Sequence, residues 1–291
     1  MDNRDDLRTH LDNLREFSLR SKNSEAQREL VLLELADILI SELEQTDGEL
    51  SDVYKRFRAL HEDIGNADLA RFAQRLAREY ETTSGGRKKL LNEDKKTVAP
   101  GSHGKIATVK NSYCEDAFAI LSRTVKAPKR IYAQSFSDAC EEIASSACEF
   151  ALLPIESAQN GRLFGFYSLL DRYELKIFAA CLLEGEGYED SIRYALVGKS
   201  SPDRLPRNAR LTFEFSLISD SDSFPSDVLT AATVLSASIV KIDSLPVAYD
   251  DTQRKYFFTL NVTDTVASAL DIYLSCEHKG YTRIGLYPII K

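Results

Sequence analysis

Apolar residues in the first part of the chain recur at helical spacing. Leu50, Val53, Tyr54, Phe57, Leu60 and Ile64 follow i, i+3, i+4, and Leu69, Phe72, Ala73, Leu76, Ala77 and Tyr80 do the same. Each set forms one apolar stripe and predicts an amphipathic helix. Leu30 to Leu43 is apolar on a wider face and predicts the most buried helix of the region. Gly48 and Gly65-Asn66 supply the breaks between helices. Residues 1–81 thus read as a helical bundle, either a core in its own right or a dimerisation surface.

The pattern vanishes over 82–104, where Ser84-Gly85-Gly86, a run of Lys and Arg, and Pro100-Gly101-Ser102 read as a linker. Its basic cluster Arg87-Lys88-Lys89 is read as solvated linker charge rather than an anion site. Short apolar runs then alternate with helical spacing. Lys105–Val109, Arg130–Gln134 and Phe150–Pro154 are strand-like, and Glu115–Ser122 and Phe136–Ser145 are helical. This β-α-β-α-β order predicts a parallel sheet. A helix over Leu163–Leu170 and strands over Leu175–Leu183 and Ile192–Val197 complete an α/β lobe, 105–201. After a second linker, 202–210, the rhythm changes. Strand Leu211–Ile218, helix Asp227–Ser236, strands Ile239–Leu245 and Tyr256–Val262, helix Val266–Cys276 and strand Arg283–Tyr287 follow. That is the ferredoxin-like β-α-β-β-α-β order, over 211–291.

Composition narrows the function classes. A net charge of -8 and a pI near 5.2 argue against nucleic-acid binding, which depends on neutralising phosphates with Lys and Arg. The five cysteines are widely spaced, with no CxxC pair, so neither a zinc site nor a disulfide framework is expected, and a reducing cytoplasm fits. His10, His61, His103 and His278 are scattered, and no metal or cofactor is expected from them. The first residues are polar and no apolar run approaches the ~18 residues of a membrane span, so a soluble chain without a signal peptide is expected.

The candidate chemistry lies in Leu152-Leu153-Pro154-Ile155-Glu156-Ser157-Ala158-Gln159-Asn160-Gly161. A buried strand ends here in an acidic, amide-rich loop closed by glycine, at the strand end where open α/β sheets place ligands. Glu156 and Asn160 can hydrogen-bond a small polar ligand while Gly161 lets the backbone approach it. Equally, Glu156 can cap the following helix, with Asn160-Gly161 a plain turn.

The same stretch resembles the "VPIENS..G" loop of prephenate dehydratase, the enzyme family that makes phenylpyruvate for phenylalanine synthesis. Further blocks fall in the family's order. Lys105-Ile106-Ala107 with Ser112-Tyr113-Cys114 stands where the family has "GP.GSYS", and Phe136-Ser137-Asp138 where it has "F..IF..V..G". Lys241-Ile242-Asp243-Ser244-Leu245-Pro246 resembles "KIESRP", Tyr256-Phe257-Phe258 "YFFVD", and Gly285-Leu286-Tyr287-Pro288 "LGSYP". The resemblance covers 105–291. It implies a dehydratase lobe followed by a regulatory ACT domain, with residues 1–81 in the place of the chorismate mutase domain of many bacterial members. That domain's arginine and lysine ligands are not found at matching spacing, so a noncatalytic relic or an unrelated dimerising bundle is expected rather than an active mutase.

Departures from the family carry as much information. Leu175–Leu183 is followed almost at once by Ser191-Ile192-Arg193, which resembles the "TRF" strand that in the family comes after an entire second lobe. That lobe is read as absent. The family's catalytic Thr of "TRF" is Ile192 here, which has no hydrogen-bonding group. Arg193 aligns with the family's Arg, as a ligand contact or a satisfied surface or loop-pairing residue. The resemblance implies Glu156, Ser157, Asn160, Gly161, Arg193 and Ser112 as substrate-binding candidates. It implies Ser223, Phe224, Asp243 and Ser244 as regulatory-ligand candidates, with Phe224 either self-filling the amino-acid pocket or lying in an ordinary acidic loop. The expected protein is a catalytically impaired member, cytoplasmic, a homodimer through the ACT or helical region, acting as a regulatory or structural partner, with an active paralogue as one candidate partner. The alternatives are an active or residual prephenate dehydratase or chorismate mutase with its cleft completed by another subunit, or a sensor of an aromatic amino acid or prephenate-like ligand.

Overall fold

A computed structural model describes Thr9 and residues 30–31, 34–41, 50–60, 64–82, 104–185, 191–199, 209–220, 224–248 and 250–291. Its elements run α1 (Leu50–Leu60), α2 (Asn66–Thr82), β1 (Lys105–Val109), α3 (Ser112–Leu121), β2 (Lys129–Ala133), α4 (Phe136–Ala144), β3 (Phe150–Ser157), β4 (Gly161–Arg162) and α5 (Phe164–Arg172). Then come β5 (Lys176–Leu183), β6 (Ile192–Gly198), β7 (Leu211–Asp220), α6 (Ser226–Val234), β8 (Ser238–Val247), β9 (Asp250–Val262), α7 (Asp264–Glu277), β10 (Thr282–Tyr287) and β11 (Ile289–Ile290). Backbone contacts group the chain into two compact units: 1–90 with 223–238 and 265–281, and 91–222 with 239–264 and 282–291.

The first unit is helical. Its stripes are those the spacing predicts: Val53, Tyr54 and Phe57 of α1 and Leu69, Phe72, Ala73, Leu76 and Ala77 of α2 are buried. Phe57 stacks on Phe72 at 3.7 Å between ring centroids. In the helical stretch 34–41, Leu35, Ala36 and Leu39 are buried, and Asp37 pairs with Arg75 of α2 at 2.7 Å. Helix α2 packs against α6. Asp227 in the first turn of α6 accepts from Tyr273 of α7 at 3.1 Å and lies 2.7 Å from Nε2 of His278. Ser223 and the linker segments 83–103 and 201–208 lie outside the described residues. No described helix is long and apolar enough to cross a membrane.

The second unit is built on an eleven-stranded sheet ordered β2-β1-β3-β6-β5-β10-β7-β9-β8, with β4 on β3 and β11 on β5. The predicted parallel sheet is limited to β2-β1-β3. Strand β6 runs antiparallel between β3 and β5, because only residues 184–191 join it to β5. Strands β7 to β10 lie in the order β10-β7-β9-β8, with β7 antiparallel to both β10 and β9. Both strand groups meet where β10 runs parallel to β5. Gly285 pairs with Ile177 there, and a Cβ on it would stand 2.8 Å from Ile177 Cβ. Glycine is what lets the two halves join into one sheet.

Candidate functional site

Strand β3 does not stop at Pro154. It continues to Ser157 and turns into β4, so the predicted loop is a hairpin. Ser157 Oγ accepts from the Asn160 amide at 3.1 Å, and Gly161 closes the turn with φ +65°. Proline cannot donate to a ladder, and the pairing with β6 slips by one residue after it. Pro154 is opposite Tyr194, Ile155 is passed over, and Glu156 comes opposite Arg193. The bulge therefore aligns a carboxylate and a guanidinium that regular pairing would have offset.

Glu156 does not cap α5. Oε2 accepts from Arg193 Nη1 at 2.6 Å, and Oε1 from Lys241 Nζ of β8 at 2.9 Å. In the sheet order β3 and β8 stand six steps apart, roughly 29 Å in a flat sheet at about 4.8 Å per step. The sheet must therefore curl until β8 meets the β3–β4 hairpin.

Next to this pair lies a buried one. Arg162 of β4 donates from Nε to Asp243 Oδ2 at 2.8 Å and from Nη2 to Thr259 Oγ1 at 2.6 Å, and Glu214 Oε1 lies 3.5 Å from Nη1. Tyr167 of α5 donates to Glu214 at 2.9 Å, and its ring lies 4.7 Å from the Arg162 guanidinium carbon. Burial alone would lower the Arg162 pKa; the charges of Glu214 and Asp243 reverse that and hold the guanidinium charged. Burial pushes the Tyr167 and Tyr287 phenols well above their ordinary value, with Glu214 adding to both, so they stay neutral donors. The arrangement is three cations (Arg162, Arg193, Lys241) against three carboxylates (Glu156, Asp243, Glu214), edged by the apolar packing of Phe164 and Tyr167 on Phe257.

Of the residues singled out in the sequence, Glu156, Arg193 and Asp243 meet here. Ser157, Asn160 and Gly161 form the adjoining turn. Ser112 opens α3 behind its N-cap Asn111, whose side chain accepts from the Cys114 amide, and takes no part in the Glu156–Arg193 pair. Ser244 accepts from Arg254 at 2.9 Å. Phe224 stands 41% exposed before α6, in the helical unit. Ile192 packs with Tyr194 and Leu196 on an apolar cluster with Cys114 and Leu183, on the face away from Arg193. Sequence reasoning missed Arg162, Lys241 and Glu214. The alternation Lys241-x-Asp243 was the available signal, since it sets two charges on one face of a strand. Among the described residues no group of three or more His, Cys, Asp or Glu side chains is placed to hold a metal.

The chain is similar to the prephenate dehydratase of Streptococcus mutans, at 17% identity over 64% of this chain and 98% of that one, with a TM-score of 0.50. The fold is prephenate-dehydratase-like. At 17% identity the likeness is one of fold. The fold is also similar to that of GqqA, described as a novel type of quorum quenching acylase, at 14% identity over 63% of this chain and 94% of that one, with a TM-score of 0.51. No protein-family profile matches the chain, and no curated protein sequence matches it.

Proposed function

We propose that this chain is a catalytically silent relative of prephenate dehydratase that acts as a regulatory or structural partner through its C-terminal β-α-β-β-α-β segment and helical region. The observation that carries this reading is the engagement of Glu156 by the chain's own Arg193 and Lys241, at 2.6 and 2.9 Å. A carboxylate that already accepts two charge-assisted hydrogen bonds would have to give them up to hold substrate. The hydrophobic Ile192, at the position of the family's catalytic hydroxyl, supports the same reading, as does the short β5–β6 connection, which leaves little chain for a second lobe. Dehydration of prephenate needs a donor at the departing hydroxyl and a site closed to water. Ile192 offers no such donor.

The fold's acylase likeness finds no support among the described side chains. Amide hydrolysis through a nucleophile needs an activating base within hydrogen-bond reach. His278, the histidine among the described residues, lies beside Asp227, and the Cys114 thiol is held up by burial.

The partner role is tested by titrating this chain into an active prephenate dehydratase. The expected result is a mixed oligomer in sedimentation and a changed velocity or phenylalanine sensitivity of the active enzyme. Absence of both a mixed species and any kinetic change would overturn the role.

A further inference from the structure

Lys241 places its ammonium in a position shaped for one. Nζ lies 2.9 Å from Glu156 Oε1 and 3.7 Å from Asp243 Oδ2. On a third side is Gly161, where an added Cβ would stand 3.3 Å from Nζ, so the absent side chain leaves the room. The surrounding charge cluster also holds buried polar groups without partners. The Tyr287 hydroxyl is wholly buried, interacts electrostatically with Glu214, Arg193, Arg162 and Glu156, and has no hydrogen-bond partner among the described residues. Arg193 Nε is likewise unpartnered. Unmatched buried donors call for an acceptor, and two carboxylates around a small space call for a cation.

We propose that Glu156, Asp243 and Gly161 form a primary-ammonium site that this chain keeps filled with its own Lys241. A tethered ammonium is at high effective concentration, so a free amine does not displace it in the wild-type chain. The four-carbon stem of Lys241 reaches across from β8, so the plug also ties the curled sheet to the β3–β4 hairpin. This inference rests on Glu156 as a recognition group and not on catalytic silence, so its test is a stability measurement separate from turnover.

Lys241→Ala vacates the site. Losing the tether is expected to lower Tm by about 2–4 °C. Ethylammonium chloride is expected to restore most of that loss, and glycine to act in the same direction, relative to sodium chloride at equal ionic strength. The wild-type chain and the Glu156→Gln/Lys241→Ala double variant are expected to show no such response. Should Lys241→Ala fail to fold, its refolding yield in ethylammonium against sodium reads the same property. Ethylammonium acting no better than sodium on Lys241→Ala, or acting equally on the double variant, would overturn the site.

Discussion

Arg162 and Glu214 are both almost fully withdrawn from water, at 3% and 2% side-chain exposure, with charged ends 3.5 Å apart. A buried pair of this kind is costly to break from one side, because the survivor keeps its desolvation cost without its partner. Arg162→Met or Glu214→Gln alone is expected to destabilise the chain by about 3–5 kcal/mol. The double variant is expected to lose less than the sum of the two. Urea melts of the four proteins of that cycle check it, and strict additivity would show that the two groups act independently.

The two special glycines should behave differently. Gly161→Ala meets a positive φ and the ammonium of Lys241, a flexible group that can shift, and is expected to cost about 1 kcal/mol. Gly285→Ala meets the backbone carbonyl and Cβ of Ile177 at 2.9 and 2.8 Å, which cannot move without parting β10 from β5. Thermal melts are expected to place Gly285→Ala well below Gly161→Ala.

Asp227 gives the helical unit an acid-sensitive contact. Burial alone would raise its pKa, but hydrogen bonds from His278 and Tyr273 and the His278 charge hold it below the usual carboxylate range. A depressed carboxylate contributes stability that is present above its unfolded value, about 3.9, and is lost as pH falls through the lower folded value. Asp227→Asn is therefore expected to melt below the wild type near neutral pH and to converge with it in acid. Tm measured against pH for both proteins checks this, and a constant gap down to low pH would contradict it.

The thiols provide a test of packing. Cys114, Cys140, Cys148 and Cys181 are buried, and burial pushes Cys140 and Cys181 up to about 11. Since the thiolate is the reactive form, native protein at mild alkaline pH is expected to show at most Cys276, the half-buried one, reacting quickly with a disulfide reagent. All five react once the chain is unfolded. Two or more fast thiols in native protein would contradict the packing around α3 and α4.

Periodicity in the sequence was enough to read the helical stripes and most strands. Phe57 and Phe72 were legible because a helix repeats its apolar face every three or four residues, and their stacking follows. The parallel β2-β1-β3 order followed from strand–helix alternation. Strand β9 begins at Asp250, six residues before the predicted start at Tyr256, because its first half is a polar stretch of hairpin with no alternation to read. The bulge that aligns Glu156 with Arg193 was not legible, since Pro154 looked like a strand end. Nor was the partner of Glu156, because Lys241 lies 85 residues away and reaches it only through the curl of the sheet. Asp243, a regulatory-ligand candidate by the family resemblance, accepts from Arg162, a pairing that no short stretch of sequence announces. Local pattern specifies elements, while long-range charge pairing depends on a topology that no short window contains.

In the proposed reading Glu156 holds Arg193 and Lys241 of its own chain rather than a reacting substrate. Prephenate turnover by the purified wild-type chain at neutral pH, followed as phenylpyruvate with chorismate consumption read in parallel, tests it most directly. No turnover of either substrate by a well-folded sample is the predicted result. Enzyme-dependent phenylpyruvate that Glu156→Ala or Arg193→Ala abolishes would contradict it.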